Sequence, residues 1–358
     1  MTINLTYIII AFVSSLLFSL IGTPFIVKIC NKHKLYDQPN GRKIHKEDIP
    51  RLGGTLFMPS MGLGVTIAML MMYGRGKELE VSISALVMCV GAILIYLVGI
   101  LDDLKGLKAS HKFIIQCIAA LGFPLCNLMI NNLHGLFGIY ELPLWISYLL
   151  TVFVILLIVN AMNLIDGIDG LASGFSIIIL GALVYFYYNL NSILFCLISI
   201  SLTGALTAFF IYNFFGAVGK YKIFMGDSGS LFLGYVISYL TIKYQMPHEA
   251  VGVPYPEEAF LISFTLVFIP CIDVIRVALQ RKIQGRNIFD ADKTHIHHMI
   301  MDMGFGMHST LAIIICLFSC FCLINWGLCT VGITITYIFI IDVLLYSLIA
   351  GCIGWLKK

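Results

Sequence analysis

The chain has 358 residues, of which 59% are hydrophobic and only 11% charged. A soluble domain carries about a quarter charged residues, so this much apolar surface excludes a soluble globular fold and points to a polytopic membrane protein. The formal net charge of +3 says little by itself and gives no reason to expect a nucleic-acid partner.

The first apolar run, roughly 5–27, is preceded by no Lys or Arg, and the first cation is Lys28. No cleavable signal peptide is expected, and the run should remain as the first membrane helix. Further runs near 20 residues fall at roughly 53–73, 82–101, 112–130, 143–161, 172–189, 192–212, 229–245, 257–278, 309–327 and 332–355. These predict an all-α protein with about eleven spans. The runs at 172–189 and 192–212 are separated only by Asn189, Leu190 and Asn191, which predicts a tight hairpin. Segments 28–51, 102–112, 162–171, 213–228, 276–308 and 356–358 hold all but three of the 22 Lys and Arg, the exceptions being Arg75, Lys77 and Lys243. By the positive-inside rule those segments are cytoplasmic, with the N-terminus outside and Lys357-Lys358 inside. The eleven cysteines are scattered through apolar runs without a Cys-x-x-Cys pair, so neither a disulfide framework nor a zinc site is read. No internal repeat or low-complexity linker interrupts residues 1–358, which read as a single transmembrane domain with its polar loops on the cytoplasmic side.

Several polar clusters on that side are unusual. The first loop ends in Lys43, His45, Lys46 and Arg51, followed by Leu52-Gly53-Gly54. It could contact a phosphate or simply enforce orientation. Asp102 and Asp103 close the third span; adjacent carboxylates repel and are best tolerated beside a cation or metal. Lys105, Lys108 and Lys112 follow closely and could neutralise the pair or bind phosphate; the plain alternative is a helix end with solvated charges. Asn163, Asp166 and Asp169 recur every third residue after a membrane-length run, so a helical backbone places them on one side. Such groups at a membrane helix end ask for a use; a polar helix cap is the alternative.

Asp227 lies between Gly226 and Gly229 at the entry to the next span. Glycine permits close approach to a ligand, a helix start offers N–H groups to an anion, and a carboxylate there suits a hard cation such as Mg²⁺. An N-cap aspartate is the competing reading. In Ala291-Asp292-Lys293-Thr294-His295-Ile296-His297-His298, three imidazoles in four residues suit phosphate contact, proton transfer or metal binding, with Arg281 and Arg286 nearby. A solvated basic loop beside anionic head groups is the alternative. Together these clusters describe a metal bridged to phosphates at one membrane face, expected to converge there.

The set Leu101-Asp102-Asp103, Asn163-x-x-Asp166-Gly-x-Asp169-Gly-Leu-Ala, Met225-Gly-Asp227-Ser-Gly-Ser, Asp292-x-x-His295-Ile-His297-His298 and Pro50-Arg-Leu-Gly-Gly resembles the polyprenyl-phosphate N-acetylhexosamine-1-phosphate transferases, in order and spacing over nearly the whole chain. The resemblance implies transfer of a sugar-1-phosphate from a UDP-sugar to undecaprenyl phosphate with Mg²⁺ (or Mn²⁺), releasing UMP. The setting it implies is the bacterial inner membrane, with no nucleic acid and with a homodimer as an allowed assembly. The His295-Ile-His297-His298 form is similar to the branch that uses UDP-GlcNAc to start the O-antigen of lipopolysaccharide, enterobacterial common antigen or teichoic-acid linkage units, rather than the peptidoglycan branch that uses UDP-MurNAc-pentapeptide. One departure is Gly106, where a further acid would be expected after Asp102-Asp103.

On this resemblance Asp227 is expected to hold the metal and Asp102 to position or deprotonate the lipid phosphate. Asp103 would assist, or contact the metal or the nucleotide. Asn163, Asp166 and Asp169 would shape the pocket, and His295, His297 and His298 would bind diphosphate or sugar with Lys112 and Arg281. Two other classes compete. A transporter would place ionisable groups deeper, and only Asp273 and Asp342 do so. A CDP-alcohol phosphotransferase would need an arginine and an aspartate pair that do not follow Asp169-Gly170-Leu171-Ala172.

Overall fold

The computed structural model describes residues 4–37, 48–77, 81–218, 220–246, 258–287 and 294–356. Lys43, His45, Lys46, Asp292 and Lys293 lie outside the described residues. Helices dominate: α1 (Leu5–His33), α2 (Phe57–Tyr73), α3 (Ile83–Lys105), α4 (Ala109–Leu125), α5 (Leu144–Ile165), α6 (Leu171–Asn189), α7 (Ile193–Phe215), α8 (Gly226–Tyr244), α9 (Ala259–Ile283), α10 (Ile296–Asp302), α11 (Met307–Thr330) and α12 (Ile335–Leu356). Two small antiparallel pairs accompany them, Tyr36–Asp37 with Ile49–Pro50 (β1, β2) and Asn132–Leu136 with Ile139–Glu141 (β3, β4). Among the described residues nine helices are long and apolar enough to cross a membrane. The chain is thus a multi-pass membrane protein. The two expected spans outside that set are α4, which is only 17 residues long, and α8, whose serines, glycines and tyrosines dilute its apolar content.

Helices run past their apolar stretches: α1 continues to His33, α3 to Lys105 and α5 to Ile165. The hydrophobic run records the span a bilayer needs, whereas the helix ends where backbone capping ends it. Asn4 starts α1 by accepting from Thr6 N at 2.9 Å, and Ser82 starts α3 by accepting from Ala85 N at 3.3 Å. These extensions carry Asp102, Asp103 and Asn163 on rigid helix rather than on loop.

The chain packs as two compact units, each with its own interior. The first comprises residues 1–129 and 148–256. Its centre is α8, whose residues from Ser228 to Ile242 are all buried. In lipid, apolar burial between helices drives little, so close packing and interhelical hydrogen bonds hold the bundle, the bonds contributing roughly 0.6–2 kcal/mol each. Ser15 Oγ donates to Ser201 O at 2.6 Å, joining α1 to α7. Tyr187 OH donates to Leu240 O at 2.6 Å, and Tyr235 OH to Ala119 O at 3.2 Å, tying α8 to α6 and α4. The α6–α7 connection is the expected tight hairpin.

The second unit comprises residues 130–147 and 257–358. Phe268 packs edge-on against Tyr346 and tilted against Phe321, linking α9, α12 and α11. Asp342, fully buried in α12, accepts from Asn325 Nδ2 at 2.8 Å, and the same amide donates to Thr265 Oγ1 at 2.8 Å. Thr336 Oγ1 accepts from Phe137 N at 2.7 Å and donates to Gly135 O at 3.2 Å, fastening the β3–β4 hairpin to α12.

Candidate active site

In the first unit the acidic motifs meet around the N-terminus of α8. Asp103 directs both carboxylate oxygens there, Oδ1 accepting from Asp227 N at 2.9 Å and Oδ2 from Ser228 N at 3.0 Å. A carboxylate on the first N–H groups of a helix satisfies orphan donors and matches the helix dipole. Asp103 is buried, which keeps those bonds away from competing water.

Asp102 faces the other way. Its Oδ1 accepts from Leu107 N at 2.6 Å and its Oδ2 from Lys112 Nζ at 3.0 Å. Gly106, with φ of 69°, makes this return of the chain feasible, since L side chains rarely adopt that conformation. The residue that departs from the family pattern therefore has a local reason: it ends α3 and turns the chain so that α4 delivers Lys112.

Lys112 is the hub. Its Nζ also donates to Asp227 Oδ2 at 2.6 Å, so one ammonium bridges the carboxylates of two distant motifs. Asp227 Oδ1 accepts from Asn163 Nδ2 at 3.1 Å, and that amide also bonds Ser230 Oγ at 2.8 Å. Asp227 retains 24% of its side-chain exposure and Asp102 14%, so both remain reachable.

Asp166 and Asp169 sit between α5 and α6 and behave differently. Asp169 is buried in an ion pair with Lys222. Burial, together with the charges of Asp227, Asp169 and Asp103, pushes the Asp166 carboxyl well above the usual carboxylate range. An acid so placed gains from any added cation. Asn213 fixes the neighbouring backbone: its Oδ1 accepts from Gly170 N at 2.7 Å and its Nδ2 donates to Ile223 O at 2.9 Å.

Pro50 to Gly54 turn out to be the packing partner of the Asp227 loop. Phe224 N donates to Pro50 O at 2.7 Å, Gly53 N to Phe224 O at 2.9 Å and Gly54 N to Met225 O at 2.8 Å. A Cβ on Gly54 would lie 2.1 Å from Gly229 Cα, so only glycine lets these two backbones touch. The sequence shows Gly54 and Lys222 only as parts of their motifs and gives no role to Asn213; the paired Gly-Gly and the Gly226-x-x-Gly229 spacing are the visible traces of this packing.

In the second unit the histidines stand on α10 and just before it. His295 and His297 are 5% and 2% exposed, with parallel rings whose centroids are 6.0 Å apart, and the His298 ring lies 4.2 Å from that of His297. Burial, followed by the neighbouring charges of His298 and His295, pushes His297 down to about 3, so its ring is neutral. Arg281 is buried in the last turn of α9. Asp273, singled out in the sequence only as a deep acid of the transporter alternative, is tied to Arg276 Nη2 at 2.6 Å, His295 Nδ1 at 2.7 Å and Tyr346 OH at 2.9 Å. Its signal in the sequence is the Asp273-x-x-Arg276 spacing, one helical turn apart within α9.

Among the described residues no group of three or more His, Cys, Asp or Glu closes on a common metal position. Mg²⁺ is usually held by one or two carboxylates plus substrate phosphates. Asp102 and Asp227 already place hard oxygens around one cation, the Lys112 ammonium.

The fold and this geometry define a multi-pass membrane protein with a carboxylate–lysine cluster at the start of a buried helix. The profile of glycosyl transferase family 4 matches residues 85–245, which contain that whole cluster. A Bacillus subtilis protein named "probable undecaprenyl-phosphate N-acetylglucosaminyl 1-phosphate transferase" is 35% identical over 311 residues, 86% of this chain and 81% of that protein. Undecaprenyl-phosphate alpha-N-acetylglucosaminyl 1-phosphate transferases of Yersinia pestis and Escherichia coli K12 are each 28% identical, over 86% and 84% of this chain and 80% and 78% of theirs. The chain belongs to glycosyl transferase family 4, the polyprenyl-phosphate N-acetylhexosamine-1-phosphate transferases.

Proposed function

We propose that the protein transfers GlcNAc-1-phosphate from UDP-GlcNAc to undecaprenyl phosphate, releasing UMP, at the cytoplasmic face of a bacterial inner membrane. The observation that carries the reading is the single ammonium of Lys112 shared by Asp102 and Asp227, in a chain whose relatives bear the names given above. The Lys and Arg bias of the polar segments supports the cytoplasmic placement.

In this reading an oxygen of the lipid phosphate forms a bond to the sugar-bearing phosphorus. The bond from that phosphorus to the bridging oxygen breaks, and UMP leaves with the electron pair. Asp102 orients the lipid phosphate and accepts its remaining proton when the monoester is not yet dianionic. Asp227, with Asp166 as the second carboxylate, would hold Mg²⁺. When bound, that ion supplies positive charge against the departing phosphate. Asp103 anchors the α8 N-terminus and so fixes Asp227, which is a different task from direct metal binding. Both oxygens of Asp227 are engaged by Asn163 and Lys112, which supports a charge-holding role over a covalent aspartyl-phosphate. Lys112 holds the two acids together against their repulsion and turns to phosphate when substrate brings more negative charge. The imidazoles of the second unit suit phosphate or sugar contact.

The test is UMP formation from a panel of UDP-sugars with undecaprenyl phosphate and Mg²⁺. UDP-GlcNAc should be the preferred donor, with no UMP when the lipid is left out. Preference for UDP-MurNAc-pentapeptide, or UMP release independent of lipid, would reject the assignment.

A further inference from the structure

At the end of the second unit where α9 and α12 begin and α11 ends there is a pocket of about 520 Å³. The β3–β4 hairpin supplies one wall, with His134, Phe137 and Tyr140. The starts of α9 and α12 supply Glu258, Leu261 and Tyr337. None of the residues given a part in the transfer reaction is among its lining.

Two features of the hairpin hold aromatic rings at this pocket. Phe137 has a φ of 53°, a conformation that glycine takes freely and a bulky residue rarely adopts. The hairpin places an exposed phenyl ring there instead, packed edge-on against Phe339 with centroids 5.7 Å apart. A Cβ on Gly135 would lie 3.1 Å from Tyr140 OH, so the Tyr140 ring lies close across Gly135.

The charge of this end has one sign. Residues 130–147, 257–275 and 328–338 contain no Lys or Arg, whereas Glu141 ends β4 and Glu258 precedes α9. Burial pushes the His134 imidazole down from its ordinary value, so it brings no positive charge at neutral pH. An anionic ligand would meet no cation in the lining, whereas an ammonium would meet one carboxylate and the rings of Phe137, Tyr140 and Tyr337. The location narrows the source of that ammonium. Helices α9, α11 and α12 are each long and apolar enough to cross a membrane, so the pocket stands at a membrane–water boundary. Exposed Tyr140, Tyr337 and Trp326 suit such a boundary. Arg281 and Lys282 occupy the last turn of α9, at its opposite end, which by the positive-inside rule makes the pocket's end the outer one.

We propose that this pocket binds the ammonium head group of a zwitterionic phospholipid of the outer leaflet. Glu258 and the aromatic rings hold the charge, the phenol hydroxyls of Tyr140 and Tyr337 offer donors to the lipid phosphate, and the apolar side at Leu261 receives the start of the acyl chains. A lipid seated there touches the hairpin and the starts of α9 and α12 together, so its binding stabilises the folded unit.

The test uses the full-length protein in detergent with dioctanoyl phosphatidylethanolamine, and with phosphatidylglycerol of the same chain length. Native mass spectrometry counts bound lipid, and Tm reports stabilisation. One equivalent of phosphatidylethanolamine should bind with a preference of about fivefold or more over phosphatidylglycerol, the scale of one cation–π contact, and should raise Tm. Glu258→Gln keeps the shape and removes the charge, and Tyr337→Ala removes an exposed ring. Each should lower that preference to about twofold or less while leaving the lipid-free Tm unchanged. No preference in wild type, or an undiminished preference in both variants, overturns the proposal. N-acetyl phosphatidylethanolamine checks the wild type alone, whether or not the variants fold. It keeps the chains and phosphate but lacks the ammonium, and should bind no better than phosphatidylglycerol; binding equal to phosphatidylethanolamine overturns the proposal. O-phosphoethanolamine separates a lipid from a soluble amine. It should fail to displace the lipid at equal concentration, and efficient displacement would reject the lipid as occupant.

Discussion

The acidic cluster of the first unit and the histidine cluster of the second solve the problem of polar groups in a membrane protein in opposite ways. Around α8 nearly every carboxylate is already answered: Asp102 and Asp227 by Lys112, Asp103 by backbone N–H groups, Asp169 by Lys222. Among the histidines the neighbouring carboxylate, Asp273, is answered several times over, while the ring nitrogens His295 Nε2 and His297 Nε2 have no hydrogen-bond partner among the described residues. The first arrangement is a lattice of paired charges; the second leaves buried ring nitrogens without a bond from the described residues. The lattice should therefore fail on loss of charge, and the histidines on loss of contact.

The largest expected effect separates charge from shape. Asp227→Asn keeps volume and the Asn163 contact but removes the charge, and should lower UMP release by about a hundredfold or more, the scale of deleting one preorganised electrostatic group. Next is Lys112→Met, which leaves Asp102 and Asp227 to repel each other. Turnover should fall by roughly ten- to a hundredfold, with Lys112→Arg recovering part of it, on the scale of 1–3 kcal/mol for a charged hydrogen bond. If Lys112→Met reacts normally, the bridge is ornamental and the two clusters differ less than described.

Smaller effects belong to the second unit. His297→Ala should raise KM for the UDP-sugar about tenfold, the loss of one hydrogen bond to a charged group, with little change in kcat. Unchanged kinetics would return the ring to a packing role. The weakest effect is a pH slope in stability. His297 is held near 3 in the folded protein, against an ordinary value of 6.5. Below about 6.5 the unfolded chain takes a proton that the folded ring refuses, so stability falls as pH drops toward 3, by at most about 1.4 kcal/mol per unit. The charged and titratable groups beside it are His298, His295 and Asp273. The check is the Tm in detergent from pH 7.5 to 5, where His297→Gln should flatten the decline; an equal decline in both proteins would remove the assignment.

The helical class, the membrane character, the hairpin at Asn189–Asn191 and the family were readable because membrane-length apolar runs and spaced acids leave plain marks in a sequence. Helix ends were less readable, because the apolar run measures the bilayer while capping sets the boundary. The division into two units left no trace in composition. Within the site, residue types at each motif were visible, but their partners were not. Asp102 and Asp103 are adjacent in sequence yet face Lys112 and the α8 backbone respectively. Asp273 looked like a deep isolated acid because His295 lies beyond a loop and Tyr346 on another helix. Spacing shows which residues share a helix face; it cannot show which helix end meets which.

The most direct measurement is the formation of undecaprenyl-diphosphate-linked GlcNAc by purified wild-type and Asp227→Asn protein, both given UDP-GlcNAc, undecaprenyl phosphate and Mg²⁺. The account predicts lipid product and UMP in equal amounts from wild type, and neither at a comparable rate from an Asp227→Asn protein of unchanged Tm. Equal turnover by the two proteins would contradict it.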